Sequence, residues 1–330
     1  MIITFYSFKG GVGRSMALVN IGEVLAQAGL RVLLIDFDLE APSLETYYPE
    51  QTQTLLDSSG IVDLLNSYKR AIAPPGPLHQ TAESPLPFED IRSAMVNVRD
   101  ETPEGTVHLM PVGRRSSDNM EQYVNAVQGF DWKDFYDNWE GELYFRWLRQ
   151  QFYAHADVTL VDCRTGITDL GGICCGQIAD SVVLLCAASV QQLSGSKMMV
   201  SKLSDPKLAE VRDTPLKLLV VPSRIENSEL ALREEFRTKF AEAFANVLPQ
   251  AITCEDLWHS ALPFTPKYSF GSHIAVREDR KDRSPLGLAD SYTRLAEVLS
   301  RIASENSSLF GARNRLNALQ SMYQEKAGKS

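Results

Sequence analysis

The chain is poor in the features that would send it to a membrane, a disulfide framework or a nucleic acid. None of its 330 residues fall in an uncharged apolar run of about 18, the length a membrane-spanning helix needs. An apolar strand begins at residue 2, which leaves no room for a basic segment and a hydrophobic signal core, so a cytoplasmic address is expected. The five cysteines are odd in number and show no C-x-x-C spacing. Cys163, Cys174, Cys175, Cys186 and Cys254 mostly lie in or beside apolar runs and read as buried reduced thiols, with a Cys174/Cys175 cluster bridging two subunits as the lesser alternative. Positive charge is short as well. A net charge of −9 opposes strong nonspecific binding to nucleic acid and to anionic membrane.

Apolar residues, by contrast, make up 44% of the chain, enough for a large core. The most informative segment is Phe8-Lys9-Gly10-Gly11-Val12-Gly13-Arg14-Ser15, set between the apolar strand Ile2 to Phe5 and an amphipathic helix. Three glycines let successive backbone N–H groups turn toward one anion, the helix N-terminus adds its positive dipole end, and the Ser15 hydroxyl is available to Mg²⁺. The segment therefore reads as a phosphate-binding loop for a nucleoside triphosphate, against the plainer alternative of a tight turn. It departs from G-x-x-x-x-G-K-[ST] twice: Phe8 replaces the first glycine and Arg14 the lysine.

Met16, Leu18, Ile21, Val24, Leu25 and Ala28 recur at helical spacing, Gly29 is placed to end the helix, and Arg31 to Ile35 reads as a second strand. This is a β-α-β unit with parallel strands. It ends in Asp36-Phe37-Asp38, two carboxylates at the sheet edge where open α/β folds bind ligands, both able to face the Mg²⁺ and γ-phosphate region. Two solvated carboxylates ending a strand are the ordinary alternative. Downstream, the strand Val158 to Asp162 again ends in an aspartate and runs into Cys163-Arg164-Thr165-Gly166.

The run K-G-G-V-G-R-S resembles the deviant Walker A loop of the ParA/MinD family, in its arginine-containing form. That resemblance covers residues 1–50 and 155–300. It implies an α/β fold, a mostly parallel twisted sheet flanked by helices, of the P-loop NTPase (SIMIBI) type. It implies ATP and Mg²⁺ as cofactors, with Lys9, Gly10, Gly11, Val12, Gly13, Arg14, Ser15, Met16, Gly166 and Arg224 around the nucleotide and Ser15, Asp36, Asp38 and Asp162 around the metal. In the family the early lysine reaches the partner's nucleotide across a dimer interface, so Lys9 would act in trans and Arg14 in cis. Asp38 would orient the attacking water, Asp36 would support the metal shell, and Asp162 would be the Walker B carboxylate. Arg164-Thr165 replaces the family's prolines; Arg164 is open to a γ-phosphate role or to that of an ordinary surface arginine. No adenine-reading asparagine follows Pro222-Ser223-Arg224, Asn227 being a guess, and Leu262-Pro263-Phe264 resembles the late segment beside the base.

Further strands are expected at Ser181 to Cys186 and Leu216 to Val221, and helices over Leu193 to Leu203, Leu230 to Val247 and Ala289 to Ala303. The reading is one nucleotide-binding domain over residues 1–303, seven or eight strands with a subgroup-specific insertion at about 50–150, and an amphipathic tail over 304–330. Within the insertion, Pro-rich stretches at 73–77 and 84–87 precede a strand over Val107 to Gly113, and Arg114-Arg115 reads as a solvated pair or a phosphate or partner contact. Eight aromatics between Phe130 and Trp147 are half core by spacing, the remainder forming an acidic–aromatic surface for a protein partner. The tail is poor in basic residues and lacks tryptophan, which favours packing on the domain or a partner over membrane.

Two functions follow. One is an ATP-hydrolysing switch that dimerises with ATP and regulates a protein partner through the insertion or the tail. The other is a nucleotide-gated binding subunit with little hydrolysis, since the rigid guanidinium of Arg14 grips phosphates yet follows a moving γ-phosphoryl poorly. Weaker alternatives are a positioning ATPase on DNA or membrane and a metabolic transferase. The arginine-loop subgroup is similar to proteins found in bacterial signalling or defence clusters.

Overall fold

Among the described residues, seven strands form one sheet in the order β3-β4-β2-β5-β1-β6-β7, every neighbouring pair parallel except β3 with β4. They are β1 Ile2–Ser7, β2 Arg31–Phe37, β3 Val96–Asn97, β4 Thr106–Met110, β5 Val158–Cys163, β6 Ser181–Ala187 and β7 Lys217–Ser223. This computed structural model describes residues 1–73, 89–99, 105–206, 208, 212, 215–279 and 287–302. The tail expected over 304–330 and most of the Pro-rich stretches lie outside the described residues.

The inner strands are near-continuous apolar runs because helices cover the sheet, and parallel strands so covered carry no alternating polar face. β1 and β5 are buried along their whole length, and β6 from its first residue through Cys186. The first helix, α1 (Arg14–Gln27), is buried from Ala17 to Ala26 because it lies between the sheet and the helix Leu288–Ile302. It ends where the sequence placed its stop: Gly29 adopts φ 85° and its N–H donates to the Ala26 carbonyl at 2.9 Å.

The segment from 50 to 150 is partly integral to the sheet, since β4 pairs with β2 and β3 adds an antiparallel edge. Its aromatics turn inward, which corrects the expected acidic–aromatic surface. Phe135, Tyr144 and Phe145 are fully buried, and Phe130, Trp132, Tyr136, Trp139 and Trp147 pack half-buried against the core. Phe145 reaches Phe37 of β2 with ring centroids 6.5 Å apart, and Asp134 accepts from the Trp139 indole at 2.7 Å. Apolar area won over display because each ring buried here is worth more against its neighbours than in water. Arg115 is corrected likewise: it is buried, 2.9 Å from the buried Glu45, while Arg114 alone stays exposed, its N–H donating to Asp63 at 3.0 Å.

The late segment Leu262-Pro263-Phe264 forms no eighth strand. Pro263 makes an isolated parallel bridge to Ile225, with Leu262 donating to the Pro222 carbonyl at 2.9 Å.

Candidate nucleotide site

β2, β5 and β1 are neighbours, so the loops leaving their carboxyl ends meet at one place, where the strand order reverses. β1 leads into the glycine loop. Gly11 and Gly13 adopt φ 75° and 85°, left-handed values that a side chain would strain, and open space lies before both. No backbone N–H from Gly10 to Gly13 donates to a described residue, which leaves a cradle of donors at the start of α1. Lys9 is exposed and makes no ion pair with a described residue. Met16 is half-buried, its carbonyl accepting from Asn20 at 2.8 Å.

Phe8 occupies the position of a glycine because its ring has a seat elsewhere. It lies on Gly195 of the helix Val190–Leu203, where a Cβ would come within 2.1 Å of the ring.

Arg14, Ser15, Asp38 and Asp162 form one hydrogen-bonded cluster. The Arg14 guanidinium donates through Nε to Asp162 and through Nη2 to Asp38 at 3.0 Å, and Ser15 Oγ donates to the other Asp162 oxygen at 2.5 Å. Burial opposes the charge on Arg14, but Asp162 and then Asp38 more than offset it and raise its pKa. Burial pushes the Asp162 carboxyl up, with Arg14 and Ser15 pulling against that shift.

Asp36 stands in register with Asp162 on the adjacent strand, yet its oxygens serve the loop that follows. They accept from the backbone N–H groups of Asp38 at 3.1 Å, Ser43 at 3.0 Å and Leu44 at 3.1 Å, folding the 38–44 loop around the carboxylate. Burial and the neighbouring Asp162 push Asp36 up to about 7, against the donated bonds.

Gly166 adopts φ 78°, donates to the Ser7 carbonyl at 3.2 Å and accepts from the Tyr6 hydroxyl. Arg164 pairs with Glu40, joining the loop after β5 to the loop after β2. Arg224 adopts φ 50°, donates to the Gly11 carbonyl at 3.1 Å and lies 4.5 Å from the Phe264 ring centroid. Asn227 is exposed near Arg233. The site thus gathers Lys9 to Ser15, Asp38, Asp162, Gly166 and Arg224, and gives Asp36 to its own loop. Glu40 and the Phe8–Gly195 contact had no local signal in the sequence; both pairings join residues more than a hundred positions apart.

The thiols of Cys163, Cys174, Cys175 and Cys186 are buried, and none of the five cysteines is in a disulfide. No helix among the described residues is long and apolar enough to cross a membrane.

Oxygens of Asp38 and Asp162 accept from one guanidinium, and Ser15 Oγ is bonded to Asp162; such a hard, anionic set suits Mg²⁺ held also by phosphate and water. A sequence model described as the CobQ/CobB/MinD/ParA nucleotide binding domain matches residues 3–263. No curated protein matches the chain. Among solved structures, the fold is similar to cobyrinic acid a,c-diamide synthase from Mycobacterium smegmatis with bound ATP analog and magnesium, at 18% identity over 91% of this chain and 94% of that one, TM-score 0.61. It is similar to a plasmid partition protein from Borrelia burgdorferi, at 15% identity over 90% and 96%, TM-score 0.57. The septum site-determining protein MinD from Pyrococcus horikoshii, complexed with Mg-ADP, is similar at 16% identity over 93% and 98%, TM-score 0.54.

Proposed function

Because the chain belongs to the CobQ/CobB/MinD/ParA nucleotide-binding family, we propose that it is an ATP-hydrolysing molecular switch that closes as a homodimer on ATP and presents the closed form to a protein partner. The observation that carries this reading is the convergence of Arg14, Ser15, Asp38 and Asp162, drawn from three adjacent strand ends, beside an open glycine cradle.

The loop N–H groups bind the phosphates, and the helix terminus behind them adds its dipole. Ser15, Asp38 and Asp162 would hold Mg²⁺, which when bound neutralises charge on the phosphates. Asp38 orients the attacking water. Asp36 keeps the 38–44 loop folded so that Asp38 stays at the site, a positioning role in place of metal support. Exposed Lys9 is free to reach a second subunit's nucleotide. Arg224, stacked on Phe264 and bonded to Gly11, lines the nucleotide's side of the loop.

Light scattering with ATP–Mg²⁺, with ADP and without nucleotide, alongside phosphate release, tests this. A monomer that becomes a dimer only with ATP, and stays one in Asp38→Ala while phosphate release falls about 100-fold, supports the switch. An oligomer indifferent to nucleotide sinks it. The engagement of Arg14 by two carboxylates favours a second reading, a nucleotide-gated subunit with little turnover; ATP-dependent dimerisation without phosphate release in the wild type selects it. A regulatory partner in a signalling or defence system fits the acidic chain better than positioning on DNA or membrane.

A further inference from the structure

We infer that Arg14 acts as a tethered cation that covers the carboxylates of Asp38 and Asp162 and so makes entry of a divalent cation depend on nucleotide. This rests on reading the glycine loop as a nucleotide site.

Arg14 is 8% exposed, and its guanidinium spans Asp162 at the end of β5 through Nε and Asp38 just past β2 through Nη2. The second oxygen of Asp162 is taken by Ser15. Every oxygen that suits a divalent cation here therefore carries a donor or lies beside a fixed positive charge. A divalent ion on those oxygens would sit within a few ångströms of the guanidinium in a buried setting, where like charges repel strongly. Arg14 must leave before the metal can settle.

Phosphate supplies the reason to leave. A planar guanidinium fork pairs with phosphate oxygens as well as with carboxylates, and the loop N–H groups that bind phosphate begin one residue away. The carboxylates stay in place when Arg14 turns: the 38–44 loop is held by Asp36, and the Glu40–Arg164 pair ties it to the loop after β5. A lysine at position 14 is a single point charge that cannot span both carboxylates with a fixed fork. The arginine in this loop thus orders binding, nucleotide first and metal with it.

The test uses the full chain and Mn²⁺ alone, with free Mn²⁺ read by electron paramagnetic resonance. Without nucleotide, Arg14→Gln is expected to bind Mn²⁺ at least about tenfold tighter than wild type, Arg14→Lys in between, and Asp162→Asn added to Arg14→Gln to remove the gain. Equal Mn²⁺ affinity in wild type and Arg14→Gln overturns the inference, as does wild-type Mn²⁺ binding that ATP leaves unchanged. Should circular dichroism show Arg14→Gln unfolded, Arg14→Lys is compared with wild type on the same terms: tighter binding supports, equal binding overturns. Binding of a fluorescent ATP analogue to the wild type in chelator is measured separately. Its failure removes the nucleotide reading and leaves the Mn²⁺ comparison standing.

Discussion

Phe8 and Gly195 are a matched pair. The ring that displaced a loop glycine needs a helix face without a Cβ, and Gly195 supplies one. In an ordinary helix interior alanine would be better than glycine by about 1 kcal/mol. Gly195→Ala is expected to do the opposite and destabilise by about 1–3 kcal/mol, because a methyl 2.1 Å from the ring forces one of them to move. Urea unfolding of the single variant and of Gly195→Ala with Phe8→Gly checks it: the double variant should lose less than the sum. Glu23 is a second residue whose worth depends on a distant partner. It is buried in α1 and accepts twice from Arg277, at 3.0 and 2.6 Å, so Glu23→Ala should cost about 1–3 kcal/mol by removing these two charge-assisted bonds.

Between elements, small charged contacts set how neighbouring strands and loops sit. Arg31 opens β2 and Asp157 precedes β5, joined at 2.9 Å. Partial burial raises the Asp157 carboxyl, but the bonds from Arg31 outweigh it and the net shift is downward. A depressed folded-state pKa contributes stability above the unfolded value and loses it as pH falls through the folded one. The stability gap between wild type and Asp157→Asn should therefore be full near neutrality and close below about pH 4, read as urea midpoints across a pH series. The Glu40–Arg164 pair is more exposed and joins two loops instead of two strands. A double-mutant cycle with Glu40→Gln and Arg164→Gln should give a coupling of only about 0.2–1 kcal/mol in stability, shrinking with added salt. Elements whose signals are local were legible in the sequence: the glycine loop, the stop at Gly29, the strand that leads into Asp38, and the apolar runs of β5, β6 and β7. What escaped needed the third dimension. Arg115 looks solvated beside Arg114 until Glu45, seventy positions away, meets it in the interior. Asp36 looks like a second metal ligand until the following loop folds back onto it. Helical spacing could divide the aromatics into inner and outer sets but could not see that Phe37 and Tyr68 would receive them.

For the whole molecule, the position of β1 has a bearing on how the protein comes into being. The strand earliest in the sheet's sequence order is central in the finished sheet: Ile2 pairs with Thr159 and Ile3 with Ser181. At synthesis rates of about 5–20 residues per second, β1 waits on the order of ten seconds for its neighbours. During that time an apolar strand and a glycine loop are exposed to chaperones and proteases. Contacts so distant in sequence close slowly even once both strands exist. A nascent chain halted before β5 has the loop but not Asp162 against it, so a prematurely terminated product carries a phosphate-loop sequence without the arrangement that gives it chemistry.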